Sequence, residues 1–414
     1  MSAENLLYLI VGLVLFDYIV DQSLSLLNHK SSKGQVPEKL KGLYDEDEYK
    51  KSQKYQATRT RFGFITSLFS TLLTLAVITL GLFGDIDTLV EGCSDNSIIQ
   101  SLLFFGLLFV LSDIINLPFS YYSTFVIEEK FGFNKTTLKT FLLDKLKGYA
   151  LAAVMGGLLG YALLWLINEL GQDFWIYALV LITAFMLFMN VFYTSLILPL
   201  FNKLTPLEDG DLKSKIQAYA QSVSFPLTSI YVIDGSKRSS KANAFFSGLG
   251  KKKKIVLYDT LINDHSEEEL VAVLAHEVGH FKKKHIVQSL VIGVFQMAIT
   301  LFILSLFIFN LNLSEALGAE RMAIHINLIT FGILYSPISR LTGLLMNILS
   351  RKNEYEADAY ASTTYDAEPL MAALKKLSVS SLSNLTPHPV FVFMNYSHPP
   401  LLERLTAMEA FVKD

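Results

Sequence analysis

The chain has 414 residues, 51% of them hydrophobic and only 18% charged, with a mean hydropathy of +0.40. The apolar residues come in long blocks rather than in amphipathic alternation, which excludes an ordinary soluble multidomain protein and points to a polytopic membrane protein. A net charge of −3 and scattered Lys/Arg clusters carry no nucleic-acid signature, and the single cysteine, Cys93, excludes an intrachain disulfide framework.

Seven blocks are long enough to cross about 30 Å of hydrocarbon: 5–27, 62–84, 98–120, 148–169, 173–200, 286–310 and 323–349. The first lacks a basic n-region and a small-residue cleavage site, so it is expected to be an uncleaved span. Lys and Arg concentrate after spans one, three and five (Lys30–Arg61, Lys130–Lys147 and Lys203–Lys284). The loops after spans two and four carry none, and the loop after span six has only Arg321. The positive-inside rule then places the N-terminus outside and the C-terminus in the cytoplasm. Asp17, Asp21, Asp113, Asn116, Asn190 and Arg340 fall within or at the ends of spans, where such groups face a bundle interior or a hydrated cavity. Gly156 and Gly160 have the spacing for close helix contact.

Residues 202–285 form the main soluble piece. Leu212–Val223 reads as an amphipathic helix and Ser229–Ile233 as a strand. Ala242–Leu249 followed by Lys254–Tyr258 reads as a hairpin about Gly250, with Lys251–Lys254 a solvated turn. A strand edge just ahead of a catalytic helix can pair with an extended peptide. Asn243 lies on that strand, where its side chain either makes a local hairpin hydrogen bond or meets a substrate.

The capping box Ser266-Glu267-Glu268-Glu269 opens a helix that carries His276-Glu277-Val278-Gly279-His280. Residues four apart share one helix face, so His276 and His280 can offer two imidazoles to one zinc ion, with Glu277 beside them; this is the H-E-x-x-H signature. Glu354 is the candidate third ligand. Asp358, one turn further along, can accept the free N–H of a ligating histidine and fix its tautomer. A closed structural site would recruit cysteine, and the only one lies on the far side of the membrane; three protein ligands leave a position for water. Glu277 is placed to take a proton from the attacking water and pass it to the leaving amine. His398, in Ser397-His398-Pro399-Pro400, either donates to the developing oxyanion or caps the last helix, and Arg404 can pair with Glu354 or Asp358.

No proline interrupts Glu267 to about Phe309, so one long helix is expected to run from the motif into span six, with Lys282–Lys284 as interfacial anchors. After span seven, Glu356–Tyr365 continues a helix, Glu368–Leu377 forms another, and a last short helix holds Glu403 and Arg404. The chain divides into 1–201 (spans one to five), 202–285 (the metalloprotease segment), 286–350 (spans six and seven) and 351–414 (a helical segment with the third ligand and the His-Pro-Pro motif).

With these residues in place, the chain resembles the integral-membrane CaaX prenyl proteases of the first type, a branch of the gluzincin metallopeptidases. The likeness extends to Phe125–Lys135 after the third span, Leu200–Leu207 at the exit from the fifth, Asn243–Gly248, Asn353–Ala359 and Tyr396–Leu401, in the family's order. It implies an all-α membrane protein: a seven-helix barrel around a large hydrated chamber, with a small α/β metalloprotease domain at the cytoplasmic face and one Zn2+. It implies that the strand Asn243, Ala244, Phe245 holds substrate, that Asn243 and His398 contact the scissile backbone, and that the last three residues of a prenylated CaaX C-terminus are removed. The partners would be the lipid bilayer and a peptide or protein substrate. The chain closes on Phe411-Val412-Lys413-Asp414 rather than a dilysine-type signal, so retrieval to the endoplasmic reticulum is not expected; in a bacterium the membrane would be the cell inner membrane. Two other functions compete: a quality-control protease for misfolded membrane proteins, whose relatives are shorter with fewer spans, and a transporter with a structural metal, which leaves Glu277 without a role.

Overall fold

The computed structural model describes residues 1–32, 35–42, 45–247 and 253–412. Helices α1 (Ala3–Ser31), α2 (Glu46–Thr79) and α3 (Ser97–Phe131) are long apolar spans. The next helical run, Leu138–Phe201, has 64 residues and would be about 96 Å long at 1.5 Å per residue, three times the hydrocarbon thickness. Gly171, with φ of +55°, divides it at a tight turn into α4 (138–170) and α5 (174–201).

The chain then leaves the membrane through β1 (Leu204–Pro206), α6 (Asp211–Ser222), β2 (Leu227–Ile233), β3 (Ala244–Ser247) and β4 (Lys253–Tyr258), and enters α7 (Glu267–Lys282). It returns as α8 (His285–Phe307), crosses again as α9 (Ile324–Leu334) and α10 (Ser336–Thr364), and ends with α11 (Ala367–Ser380) and α12 (Leu401–Met408).

Among the described residues, with the run 138–201 counted as two and α9 with α10 as one, seven spans close into a ring. α1 packs on α2, α3 on α4, α4 on α5, α5 on α8, α8 on α9, and α9 back on α1. Between α2 and α3 the seam is aromatic, Phe62 lying 5.2 Å from Tyr122 and Phe69 5.1 Å from Phe119. Within an 18-residue apolar window of each of the five runs only 6% to 22% of the residues are buried. A solid bundle would bury far more, so the helices expose an outer face to lipid and an inner face to a central chamber. Polar groups inside the spans pair across helices. Arg340 on α10 bridges Asp17 (3.0 Å) and Asp21 (2.9 Å) of α1, and Lys145 on α4 meets Asp113 of α3 at 2.7 Å. At the end of the spans away from the sheet, buried Asp87 receives Arg321 (2.8 Å) and His325 (3.0 Å), and Gly318, at φ +93°, approaches Gly81 so closely that a Cβ would lie 2.6 Å from its Cα. Those contacts tie the loops after spans two and six.

The soluble part is a four-stranded sheet in the order β1-β2-β4-β3 covered by helices. β2 and β4 are parallel, while β3 runs antiparallel to β4, pairing Ala244 with Leu257 and Phe246 with Ile255. One core joins the layers: Ile255 and Leu257 of the sheet, Leu270 and Leu274 of α7, Ile216 of α6, Leu370 of α11 and Leu405 of α12. Each such buried aliphatic side chain contributes roughly 1.5–3 kcal/mol.

Several expectations need correction. The motif helix and span six are two helices, because α7 stops at Lys282 and Lys284 takes a left-handed conformation, φ +61°, at the position where such a residue terminates a helix. Span seven is broken as well: α9 and α10 meet at 55°, with Pro337 in the first turn of α10 where its missing N–H does no harm. Asn243 precedes β3 rather than lying in it, and its carbonyl accepts from Tyr258 N at 3.1 Å. Of the lysine run, Lys253 is not a solvated turn residue. It pairs with Leu227 at the start of β4, is only 5% exposed and lies over the Phe281 ring at 5.0 Å; burial pushes its ammonium pKa down. Gly248, Gly250 and Lys251 lie outside the described residues. A Cβ at Gly160 of α4 would lie 3.2 Å from Leu102 of α3, whereas one at Gly156 would meet nothing within 4 Å, so only Gly160 marks a close approach.

Candidate metal centre and active site

The Ser266 side chain accepts from Glu269 N while the Glu269 carboxylate accepts from Ser266 N, so the reciprocal cap starts α7 where the sequence places it. Ten residues on, His276 and His280 point from one face of α7 toward α10, which packs along it. Their Nε2 atoms lie 3.2 Å apart. Glu354 on α10 puts Oε1 3.3 Å from His280 Nε2 and Oε2 3.6 Å from His276 Nε2. A tetrahedral ion bound at 2.0–2.1 Å sets its ligand atoms about 3.3 Å from one another. The three side chains already have that spacing, and their ligand atoms all fall within 4.8 Å.

Two further observations fit a cation here. Glu354 Oε2 is buried without a hydrogen-bond partner, which would be costly were nothing meant to meet it. Burial opposes protonation of His280, but Glu354 beside it outweighs burial and leaves the imidazole pKa above its ordinary value, as a pocket of negative potential does.

The far sides of the imidazoles are held. Asp358, one turn beyond Glu354, accepts from His276 Nδ1 at 2.8 Å; since a carboxylate only accepts, the proton sits on Nδ1 and Nε2 keeps its lone pair. Arg404 from α12 grips the same carboxylate with Nε to Oδ2 (2.8 Å) and Nη2 to Oδ1 (2.6 Å), and its Nη1 lies 3.6 Å from Glu354 Oε2. Burial works against the Arg404 charge, yet Asp358 holds its pKa above the usual value. Both pairings considered for Arg404 are therefore present.

Glu277 is half-buried and lines two cavities that meet at the histidines. His398 is mostly exposed, its Nε2 3.3 Å from Glu354 Oε1 and its Nδ1 3.0 Å from Ser397 Oγ. Asn243 and Ala244 line the smaller cavity with the ligand set, whereas Phe245 lines the larger one. β3 is the last strand of the sheet, and it presents its outer edge beside these residues. The sequence-derived set thus converges on one place.

Residues 206–412 match the description "Peptidase family M48" and residues 26–203 match "CAAX prenyl protease N-terminal, five membrane helices". CAAX prenyl protease 1 of Saccharomyces cerevisiae is 36% identical over 409 residues, covering 92% of this chain and 90% of that protein. CAAX prenyl protease 1 homolog of Homo sapiens is 34% identical, covering 90% and 88%. The crystal structure of S. mikatae Ste24p superposes with a TM-score of 0.93 at 34% identity over 99% of this chain and 100% of that one. The chain belongs to peptidase family M48.

As an M48 peptidase with apolar spans throughout, it is a multi-pass integral membrane metalloendopeptidase that acts on peptide or protein substrates. Membership sets aside the transporter reading. It also directs attention to two residues that sequence reasoning left without a role. The left-handed Lys284 turns the chain so that His285 returns to the M48 motif helix: its Nδ1 lies 3.0 Å from His280 Nδ1, and its Nε2 lies 3.3 Å from Glu356 Oε2. The relay His280–His285–Glu356 mirrors His276–Asp358–Arg404 on the other imidazole. The available signal was a histidine five residues beyond the motif at the head of an apolar span, where an unpaired imidazole is costly.

Proposed function

We propose that this chain is a zinc endopeptidase that removes the last three residues from a prenylated CaaX C-terminus, working at the cytoplasmic face of the membrane. The observation that carries the reading is the meeting of three elements at Glu277: the His276/His280/Glu354 cluster, the free edge of β3, and a cavity that runs from this cluster between membrane helices. That larger cavity, about 730 Å3, is lined by Phe225, Phe245, Phe246, Phe281, Met186 and Leu290 beside Asn190, Lys253 and Asn347, and its apolar part, which extends to Met186 of α5 and Leu290 of α8, suits a lipid-modified residue. The naming of the relatives as CaaX prenyl proteases supports the same substrate class.

His276, His280 and Glu354 would hold zinc; two imidazoles and a carboxylate with one open position are the donor set of a catalytic zinc site. When bound, the ion supplies a Lewis acid that acidifies water and polarises a carbonyl. Glu277 accepts the proton from the attacking water and returns it to the leaving amine. The edge of β3 and Asn243, Ala244 and Phe245 hold the peptide extended, and His398 donates to the oxygen on which charge develops. Asp358 and Arg404 keep His276 in the tautomer that leaves Nε2 free. In this reading 1–201 and 286–350 form the membrane chamber, while 202–285 and 351–414 bring the chemistry to its cytoplasmic mouth. The Lys/Arg distribution supports that side, which in a bacterium is the inner face of the inner membrane.

Cleavage of matched prenylated and unprenylated CaaX peptides by the purified protein tests the reading, with Glu277→Ala and a zinc chelator as controls. Release of the C-terminal tripeptide from the prenylated peptide, lost in both controls, is expected. Equal cleavage of the unprenylated peptide would shift the substrate toward the broader membrane peptides of a quality-control protease.

A further inference from the structure

The cleft continues beyond the metal centre on the side away from the apolar cavity. The smaller cavity at Asn243 shares Ala242, Leu374, Leu377, His398 and Arg404 with a third cavity of about 710 Å3, which opens toward α2. It differs from the apolar cavity in its charge. Arg59, Lys241, Arg404 and His398 line it together with several serines and the aliphatic Leu374 and Leu377, and among the described residues no Asp or Glu does so. Two of the cations are engaged: Arg404 on Asp358, and Lys241 on Glu128 (2.8 Å) and the Tyr55 hydroxyl (3.0 Å). Arg59 is exposed, its guanidinium 5.6 Å from the Tyr55 ring, and among the described residues it makes no ion pair.

The direction of the substrate follows from the sheet. β3 already runs antiparallel to β4, and a peptide added antiparallel to its free edge runs opposite to 242–247. Residues on the C-terminal side of the scissile bond then pass Asn243 and Ala242 toward Lys241, while residues on the N-terminal side face Phe245, Phe246 and the apolar cavity. Three extended residues span about 10 Å, and the cationic cavity begins at His398 and Arg404, which also line the cavity of the ligand cluster.

We propose that Arg59, on the wall of that cavity with Lys241 beside it, binds the free α-carboxylate of the substrate and so fixes the cut three residues from the C-terminus. The inference rests on the proposed C-terminal cleavage and adds the group that measures its length. A guanidinium offers paired N–H donors that match a carboxylate, and Arg59 is the cation of this wall without an ion pair among the described residues, whereas Lys241 is already paired with Glu128.

The test compares one prenylated CaaX peptide ending in a carboxylate with the same peptide ending in a carboxamide, cleaved by the full-length protein and by Arg59→Gln and Arg59→Lys. For the unaltered protein, amidation is expected to lower kcat/KM about tenfold, mainly through KM, the loss of one charge-assisted contact. Arg59→Gln should cost about tenfold more on the acid than on the amide, and Arg59→Lys should recover part of the loss on the acid alone. Equal cleavage of acid and amide by the unaltered protein overturns the site, as does an Arg59→Gln loss of the same size on both. If the unaltered protein cuts neither prenylated peptide but cuts an unprenylated peptide internally, the C-terminal reading itself is overturned and the carboxylate site with it.

Discussion

Gly279 lies between the two histidines of the motif, at the closest approach of α7 to α10. A Cβ there would sit 3.0 Å from Ala357 Cα, 3.1 Å from the Ala357 carbonyl oxygen and 3.1 Å from Tyr360 Cβ. Ordinary contacts between such atoms are about 3.5–4.0 Å, so Gly279→Ala requires the helices to part by roughly half an ångström. Ala357 is backbone of the turn that carries Glu354 and Asp358, so it cannot swing aside as a side chain could. Two ligands ride on α7 and the third on α10, and a metal site tolerates only about 0.2 Å of error in its ligand distances. Overpacking of this kind costs about 1–3 kcal/mol of stability. We expect metal affinity to fall at least tenfold to a hundredfold, the range seen when the support of a ligand is removed. Metal content by inductively coupled plasma mass spectrometry after equilibration with graded chelators measures the loss, with Gly293→Ala in α8 as control, since a Cβ there meets nothing within 4 Å. Metal retention and turnover equal to those of the unaltered protein in Gly279→Ala would refute the claim that this contact sets the ligand geometry.

Glu277→Gln should retain metal yet lose about 10²- to 10⁴-fold in turnover, because it removes only the proton acceptor; a tripeptide-release assay beside metal analysis checks both halves. His285→Ala should weaken metal binding about 10- to 100-fold while the fold persists, read by chelator competition and circular dichroism, and unchanged affinity would deny the relay through His280. Arg404→Met strips the guanidinium from buried Asp358, so a loss of about 3–5 kcal/mol is expected in thermal or denaturant unfolding in detergent, even in metal-free protein. Metal removal by a chelator should lower the melting temperature, and excess ion should restore it, since binding to the folded state alone stabilises it by mass action.

The parts that were readable in the sequence depend on short-range rules. The i, i+4 histidines, the capping box and the E-x-x-x-D spacing fix side chains on one helix face regardless of what surrounds them, and the structure brings those faces together. Hydrocarbon thickness likewise makes a span legible from length alone. The break ahead of span six and the break within span seven were not, for different reasons. Lys284 adopts a left-handed conformation, between the end of α7 and the start of α8, without the glycine that usually announces one. Pro337 is compatible both with a continuing kinked span and with a new helix start, and only the packing of α9 decides. Lys253 was misread because a run of four lysines suggests solvent, whereas this one opens β4 and lies over the Phe281 ring. The cationic cavity was beyond reach, since Arg59 and Lys241 are brought to one wall only by closure of the barrel.

The central claim is that His276, His280 and Glu354 hold one catalytic zinc. The most direct measurement is anomalous diffraction from crystals of the protein at energies just above and just below the zinc edge. The account predicts a single peak, present only above the edge, within bonding distance of His276 Nε2, His280 Nε2 and the Glu354 carboxylate, and absent from crystals of Glu354→Ala. A peak elsewhere in the protein, or none in crystals grown from protein that still cleaves its peptide, would contradict it.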